Sequence, residues 1–265
     1  MKKPRPTEEA YAELQQAYDF YNTELFGGQL PTCLITFQRQ KKTFGYFSKG
    51  RFGRRDGTKT DEIAINPEYF AVVPMIEVLQ TLVHEMTHLW QEHFGNPSRS
   101  CYHNKEWADK MESLGLMPSD TGLPGGKRVG QSIADYTIPG GKFEGVTKKL
   151  LAEGFAITWL DRFPAQPPAR FQTSQSPSTG TGGMDDDQAG DGLPLSVDAM
   201  LEAAYLPPSA AQPDLVDSIK VGNRSNREKY TCPGCSLNVW GKPGLRLSCM
   251  NCDLPIQAEG QEEPE

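Results

Sequence analysis

The sequence predicts an α+β fold over residues 1–163 and a separate small unit over residues 221–258. In the first region, apolar residues recur at helical spacing in two long segments, and short segments of strand character lie between them. Two Cys-x-x-Cys pairs mark the second region. Residues 164–220 are rich in Pro, Ser, Gly and Asp and are expected to form a flexible linker, and residues 259–265 an acidic tail.

One helix and three short strands are expected in the N-terminal part of the chain. An amphipathic helix is expected over residues 7–26, because Gly27 and Gly28 end it. Three short strands are expected next, over residues 34–38, 44–47 and 62–66, and together they would form a short antiparallel sheet.

The second long helix carries two histidines. Eight apolar residues recur at spacings of three and four over residues 75–94, which predicts a helix that Gly95 ends. His84 and His88 lie one turn apart on nearly the same face, so their imidazoles can converge on one metal ion. His93 falls on roughly the opposite face and is expected to be a surface or helix-end residue. The pattern His-Glu-x-x-His is typical of a hydrolytic zinc site, in which Glu85 would act as general base.

A catalytic zinc needs a third protein ligand. A histidine six residues after the second is excluded, because Phe94 holds that position. A glutamate is one alternative, and Glu106 or Glu112 could serve. His103 is favoured, because the loop over residues 95–102 is long enough to fold back over the metal.

The elements after His103 are less regular. Asn104 is expected to cap a third helix, which Gly115 ends. Residues 121–145 contain seven glycines and are expected to form a long loop, for which an active-site flap is one hypothesis. A helix over residues 146–153 and a strand over residues 155–160 are expected to close the domain.

Four cysteines near the C-terminus have the spacing of zinc ligands. Cys232 and Cys235 are followed, after 13 residues, by Cys249 and Cys252. This spacing predicts a structural four-thiolate zinc site with no position left for water. Two strands around Gly-Lys-Pro-Gly would complete a zinc ribbon. Two disulfides or a redox pair are the alternatives, and the lack of a secretory signal disfavours them.

The charge is unevenly distributed. A net charge of -7 argues against a generally basic surface, yet residues 39–59 contain eight basic residues and one acid, with four aromatic residues among them. Residues 220–246 contain six basic residues and one acid. Such segments are typical of proteins that bind single-stranded nucleic acid, and a solvated hairpin with core aromatics is the alternative. The candidate contacts are Lys41, Lys42, Arg51, Arg54 and Arg55.

The stretch His-Glu-Met-Thr-His and the following "HFGNPSRSCYHNKEW" together resemble the SprT-like family. The upstream segments "PTCLITFQRQKKTFGYFSKG" and "DEIAINPEYF" are similar to the strands that precede the catalytic helix in that family, so the resemblance covers about residues 7–115. It implies that His84, His88 and His103 are the zinc ligands and Glu85 the catalytic carboxylate. One departure is Asn104, where the family usually has glycine.

The resemblance implies a zincin-like metallopeptidase domain with an N-terminal helix, a short antiparallel sheet, the His-Glu-x-x-His helix and a ligand helix. The family includes a DNA-dependent protease, so we expect a zinc metalloendopeptidase that acts on proteins at DNA, with one catalytic and one structural Zn²⁺. A non-catalytic zinc-binding module for nucleic acid or transcription is the alternative, which the presence of Glu85 disfavours. We expect a cytoplasmic monomer without a membrane partner, because no segment of about 18 apolar residues occurs.

Overall fold

The computed structural model describes residues 5–99, 102–172, 197–217 and 227–258. The chain divides into two units, Met1–Ile219 and Lys220–Glu265. The helices of the first unit are α1 (Pro6–Phe26), α2 (Met75–Phe94), α3 (Lys105–Leu114), α4 (Lys142–Ala152), α5 (Ala169–Gln172), α6 (Val197–Ala204) and α7 (Pro208–Ala211). Its strands are β1 (Leu34–Phe37), β2 (Gly45–Gly53), β3 (Lys59–Ile65), β4 (Leu116–Ser119) and β5 (Ala134–Thr137). Short 3-10 turns cover Pro67–Tyr69 and Pro213–Leu215.

Helix α1 covers one side of the core. Pro6 lies at the start of the helix, where its fixed φ suits the first turn, and Gly27 ends the helix in the left-handed conformation with φ of 68°. Leu14, Tyr18 and Tyr21 are buried on its inner face. The Tyr21 hydroxyl lies 2.8 Å from the Thr147 hydroxyl on α4, which ties the two helices together. The expected helix over residues 7–26 is confirmed.

The first sheet differs from the expected antiparallel one. Its strand order is β1-β3-β2, with β1 parallel and β2 antiparallel to β3. Strand β2 follows β1 in the sequence, but the two strands pair with opposite edges of β3. The sheet therefore contains one parallel and one antiparallel pair of strands. The hairpin of β2 and β3 is also longer than expected, and residues 49–53 of β2 are exposed. Backbone pairing extends the strands beyond the core here, where no apolar alternation marks them.

Helices α2 and α3 have the expected bounds. Eleven residues of α2 are buried, so this helix forms the centre of the first unit. Asn104 caps α3 by accepting a hydrogen bond from the Trp107 N–H at 3.0 Å, and Gly115 ends the helix with φ of 94°.

The chain after α3 is more ordered than the sequence indicates. The segment expected as a long loop contains β5, which pairs antiparallel with β4, and α4 begins at Lys142 rather than at residue 146. Residues 155–160, all described, form no strand. The Thr158 N–H donates instead to Glu13 at 3.1 Å and the Trp159 indole N–H to Glu9 at 2.7 Å. Side chains of α1 therefore take the place of a strand ladder.

The described parts of the expected linker pack on the first unit. Leu201 and Ala204 of α6 are buried in the main core, where α6 packs against α4. Ser209 N–H donates to the Ala71 carbonyl at 3.0 Å. Arg170 of α5 forms an ion pair with Glu77 of α2 at 2.9 Å. Residues 164–172 and 197–217 thus contribute to the first unit, whereas residues 173–196 and the acidic tail lie outside the described residues.

The second unit is a small sheet. Its strands are β6 (Glu228–Thr231), β7 (Asn238–Gly241), β8 (Leu247–Cys249) and β9 (Leu254–Ala258), in the antiparallel order β7-β6-β9-β8. Its buried core consists of Tyr230, Cys232, Cys249 and Ile256. Across the described ranges of both units, no helix combines the length and apolar character needed to cross a bilayer.

Candidate metal centre

Three histidines from two elements converge at the wall of an open cleft. His84 and His88 lie one turn apart on α2, and His103 immediately precedes the Asn104 cap of α3. His103 Nε2 lies 3.2 Å from His84 Nε2 and 3.1 Å from His88 Nε2. The structure therefore brings together the three histidines that the sequence singles out as ligands.

The spacing of these nitrogens suits a metal ion. A tetrahedral zinc with bonds of 2.0 to 2.1 Å holds its ligand atoms about 3.3 Å apart. Candidate ligand atoms of His84, His88 and His103 all lie within 4.8 Å of one another. In the described part of the chain, no carboxylate joins this group, which would leave a fourth position to water.

Two acceptors orient the imidazoles from behind. His84 Nδ1 donates to Asp135 Oδ2 on β5 at 3.0 Å. His103 Nδ1 lies 3.3 Å from the Gly130 carbonyl, and the backbones of these two residues also exchange two hydrogen bonds. The Gly130 contact shows that the loop before β5 supports His103. The role of Asp135 was missed from the sequence, where no motif links it to a residue 51 positions away.

Trp107 packs beneath all three rings. Its side chain is fully buried, and its ring centre lies 4.7 Å from that of His84, 5.1 Å from His88 and 4.4 Å from His103. Because Trp107 lies in the first turn of α3, the helix that follows His103 also supplies the surface against which the imidazoles pack. A ligand set supported on a rigid element keeps its geometry.

Glu85 lies beside the histidines and is buried. Its position depends on a close approach of β2 to α2: a Cβ at Gly45 would lie 2.8 Å from the Thr81 side chain and 3.4 Å from Glu85 Cγ. The strand can therefore bring the Phe47 N–H to the Glu85 carboxylate. Burial raises the pKa of Glu85 to about 7, although the charge of His84 and the Phe47 hydrogen bond oppose this effect.

The histidines differ in basicity. Burial and the neighbouring imidazoles lower the pKa of His88 well below its usual value and that of His103 to about 4. Burial also lowers the pKa of His84, but the hydrogen bond that His84 donates to Asp135 and the charges of Glu85 and Asp135 outweigh it and leave a raised pKa.

The cleft that contains these groups has a volume of about 690 Å³. Its walls come from β2, from the loop before His103 and from residues 131–135. Lys42 and Arg99 contribute cationic groups to the lining, and Glu77 and Asp120 contribute acidic ones.

The alternative ligands lie elsewhere. Glu106 Oε2 accepts hydrogen bonds from the Asn96 N–H at 2.7 Å and from Gln91 at 2.8 Å, so this carboxylate holds the turn after α2. Glu112 forms an ion pair with Arg128. His93, as expected, lies away from the other histidines, and its Nε2 is 2.6 Å from Asp61 Oδ2.

Comparison with known proteins agrees with the local geometry. A model of the SprT-like family matches residues 14–125, which include all three histidines and Glu85. The chain is also 59% identical over 59 residues to a Salmonella typhimurium protein described as an uncharacterized protein in the mucB 3′ region, and this match covers 22% of the chain and 80% of that protein. The chain belongs to the SprT-like family. No solved structure matches this SprT-like chain.

The second unit of this SprT-like chain contains a four-cysteine cluster. The sulfurs of Cys232, Cys235, Cys249 and Cys252 lie within 4.8 Å of one another. Backbone N–H groups of Cys235 and Gly234 lower the pKa of Cys232 to about 7, whereas the hydrogen bond with Cys235 and burial raise the pKa of Cys252 to about 12. Four thiolates this close repel one another, so the donor set fits a bound cation.

The candidate nucleic-acid contacts of the SprT-like chain lie in and just before the β2–β3 hairpin. Arg51 lies 3.8 Å from the buried Glu62, and Arg54 lies 3.6 Å from Asp56. Lys41, Lys42 and Arg55 are exposed, and none of them forms an ion pair with an acid of the described ranges. Internal acids therefore partly offset two of the five candidate charges.

Proposed function

We propose that the chain is a zinc-dependent metalloendopeptidase that acts on proteins. The single observation that supports this most strongly is the convergence of three imidazoles beside the buried Glu85 carboxylate in an open cleft. Membership of the SprT-like family is in line with this assignment. A purely structural site would not need a carboxylate at this place outside the ligand set.

The residues divide into ligands and one acid–base group. His84, His88 and His103 would hold zinc, which when bound acts as a Lewis acid and lowers the pKa of water. Glu85 then takes the proton from the attacking water and passes it to the leaving amine. The Phe47 N–H contacts the carboxylate, and the close approach of β2 at Gly45 allows Glu85 to stay in the wall of the cleft.

The test compares wild type with Glu85→Gln and with Glu24→Gln, an exposed glutamate on α1. Cleavage of an unfolded protein such as casein is measured with and without DNA, together with zinc content. We expect the rate of Glu85→Gln to fall by about 10²- to 10⁴-fold, because a general acid–base group contributes that much. Zinc content should stay equal in all three proteins, and Glu24→Gln should cleave like wild type.

Two outcomes would refute the peptidase. One is an unchanged rate in Glu85→Gln. The other is no cleavage by wild type with zinc fully bound and DNA present, which would favour the non-catalytic zinc module.

We further propose that the second unit is a zinc ribbon. Cys232 and Cys249 lie at the ends of β6 and β8, and Cys235 and Cys252 lie in the turns that follow. Their four sulfurs are within 4.8 Å of one another, as a four-thiolate zinc site requires. With all four positions filled by sulfur, this zinc would stabilise the fold and take no part in hydrolysis.

We also propose that the substrates are proteins at DNA. The support is the exposed set of Lys41, Lys42 and Arg55, which form no ion pair with the acids that the structure describes. Lys42 also lines the cleft. Phosphates bound by these side chains would hold DNA next to the catalytic groups. Among the aromatic residues of the same segment, Tyr46 and Phe52 suit stacking with single-stranded DNA, whereas Phe44 and Phe47 pack against the core.

Salt dependence tests the DNA contact. The triple variant Lys41→Gln, Lys42→Gln, Arg55→Gln is compared with a control of equal charge, Lys105→Gln, Lys127→Gln, Lys149→Gln. For single-stranded DNA we expect the slope of log K against log[salt] to become shallower by about 2, or roughly 0.7 for each lost contact. Equal affinities and slopes in both variants would contradict a role of the hairpin, and unchanged affinity after deletion of residues 221–258 would contradict one for the ribbon.

A further inference from the structure

Two side-chain bridges join α2 to β5 next to the metal centre. His84 Nδ1 donates to Asp135 Oδ2 at 3.0 Å, and the Thr137 hydroxyl donates to Gln80 Oε1 at 2.6 Å. His84 and Gln80 are four residues apart on the helix, and Asp135 and Thr137 are two apart on the strand. These spacings match, since four helical residues rise about 6 Å and two strand residues about 6.8 Å.

The matched spacing fixes the position of β5 along α2. The two bridges lie on the same face of each element, so a shift of the strand by one residue would break both. The Asp135 carboxylate lies at the Nδ1 side of the His84 ring. This is the side of the imidazole opposite the Nε2 that faces His88 and His103.

The Asp135 carboxylate has no other protein donor in the described part of the chain. Its side chain is buried, and the second oxygen, Oδ1, has no hydrogen-bond partner there. A buried carboxylate is costly unless an interaction compensates it. Its interaction with His84 is therefore the main compensation that the fold provides.

We propose that Asp135 is a positioning residue for the metal centre: it fixes the tautomer and orientation of His84 and so raises the affinity of the three-histidine site for zinc. A hydrogen bond from Nδ1–H to a carboxylate leaves the Nε2 lone pair free for the metal and increases its basicity. The inference rests on the proposed zinc site. It gives β5, which lies outside the matched family segment, a role in that site.

Two simpler roles can be distinguished from this one. The geometry excludes a fourth ligand, because the Asp135 oxygen lies at Nδ1 whereas the converging atoms are Nε2. A link between strand and helix is also provided by Thr137 and Gln80 one turn away, so a variant at Thr137 separates that role from an effect on His84.

The test measures metal affinity in the full-length protein. Cobalt distinguishes the two sites, since a thiolate site gives strong sulfur-to-metal charge-transfer bands and a histidine site gives only weak visible bands. Competition between zinc and cobalt at the histidine site is followed for wild type, Asp135→Ala, Asp135→Asn and Thr137→Val. Thermal unfolding of the metal-free proteins reports whether each variant folds.

We expect Asp135→Ala to bind zinc about 10- to 100-fold more weakly than wild type, because loss of such a partner has this effect. Asp135→Asn should lie between the two, since the amide oxygen still accepts from Nδ1–H. Thr137→Val should keep wild-type affinity and lose only stability. Equal affinity in Asp135→Ala and wild type would refute the inference, as would an equal loss in Thr137→Val.

Failure of the proposed function would look different. If wild type bound metal only at the four cysteines, with strong charge-transfer bands alone, there would be no histidine site for Asp135 to support. Both proposals would then be rejected, whereas normal two-site binding with no effect of Asp135→Ala would reject this one alone.

Discussion

At the residue scale, the three histidines differ in how readily they accept a metal. His88 and His103 have lowered pKa values and are neutral at pH 7, so each offers a lone pair without releasing a proton. His84 has a raised pKa because Asp135 and Glu85 favour its charged form. Since metals bind neutral imidazole, protons would compete with a metal more strongly at His84 than at His88 or His103.

The sequence predicts best which side chains lie close together when the residues are near one another in the chain. The angle between successive helical residues places His84 and His88 together and separates His93, and the structure agrees. Asp135 could not be found in this way. It contacts His84 only because β5 packs along α2, and this contact depends on the tertiary fold rather than on spacing.

Glu77 predicts a pH dependence of stability. Burial raises its pKa to about 7, although Arg170 lowers it, while Asp135 adds to the rise. The unfolded chain ionises this group near its ordinary pKa of 4.5, so the folded chain binds more protons between these pH values. Its contribution to stability is therefore lost as pH rises from about 4.5 to about 7.

Urea unfolding of wild type and Glu77→Gln at several pH values measures this effect. We expect the variant to gain stability relative to wild type across that range, by at most about 3 kcal/mol, since one pKa unit corresponds to about 1.4 kcal/mol. The difference should then stay constant above pH 8. A stability difference independent of pH would contradict this explanation.

At the scale of elements, the close contact between the end of α3 and the start of α4 depends on Gly115. This residue has φ of 94°, and a Cβ there would lie 2.7 Å from the backbone nitrogens of Lys142 and Phe143. Backbone atoms at a helix start cannot move aside easily. Glycine thus satisfies both the left-handed conformation and the close approach.

The variants Gly115→Ala and Gly154→Ala separate these two effects. Gly154 has φ of 83° with open space around it, so alanine there causes only backbone strain of about 1 to 2 kcal/mol. Gly115→Ala should cost about 1 to 3 kcal/mol more, because it also forces α4 away. Chemical denaturation measures both, and equal losses would show that the contact between α3 and α4 is not tight.

Element types were predictable where periodicity or a cap marks them. Helices α2 and α3 have the expected bounds because apolar spacing, Asn104 and Gly115 define them. The strand expected over residues 155–160 is absent, and this segment is held instead by hydrogen bonds from the Thr158 N–H and the Trp159 indole N–H to glutamates of α1. The hairpin was predicted too short, and the sheet wrongly as antiparallel, because strand order depends on pairing that the local sequence does not encode.

At the scale of the whole molecule, composition alone does not predict which segments bury side chains in the main core. Residues 197–217 follow a Pro- and Gly-rich stretch, yet α6 buries Leu201 and Ala204 in the main core. Six of the eight residues of α6 are apolar, but the Pro-, Ser- and Gly-rich sequence on either side lowers the apolar fraction of the whole segment. The tertiary surface of α4 gives those groups a partner.

Removal of zinc should affect the two units differently. The second unit has four buried core residues, two of them cysteines, which is too little to fold without metal. The first unit has a large core of its own. We expect a strong chelator to abolish amide-exchange protection in residues 227–258 and to preserve it in α1 and α2. Persistent protection of the second unit in metal-free protein would contradict a structural zinc site.

The central claim is that His84, His88 and His103 hold a zinc with an open coordination position. Anomalous diffraction at the zinc edge, from crystals of the full-length protein grown with zinc, tests it most directly. The expected result is a peak about 2.0 to 2.1 Å from the three Nε2 atoms, with no fourth protein ligand and Glu85 outside the coordination shell. Absence of a peak there, or a fourth protein side chain closing the site, would contradict the account.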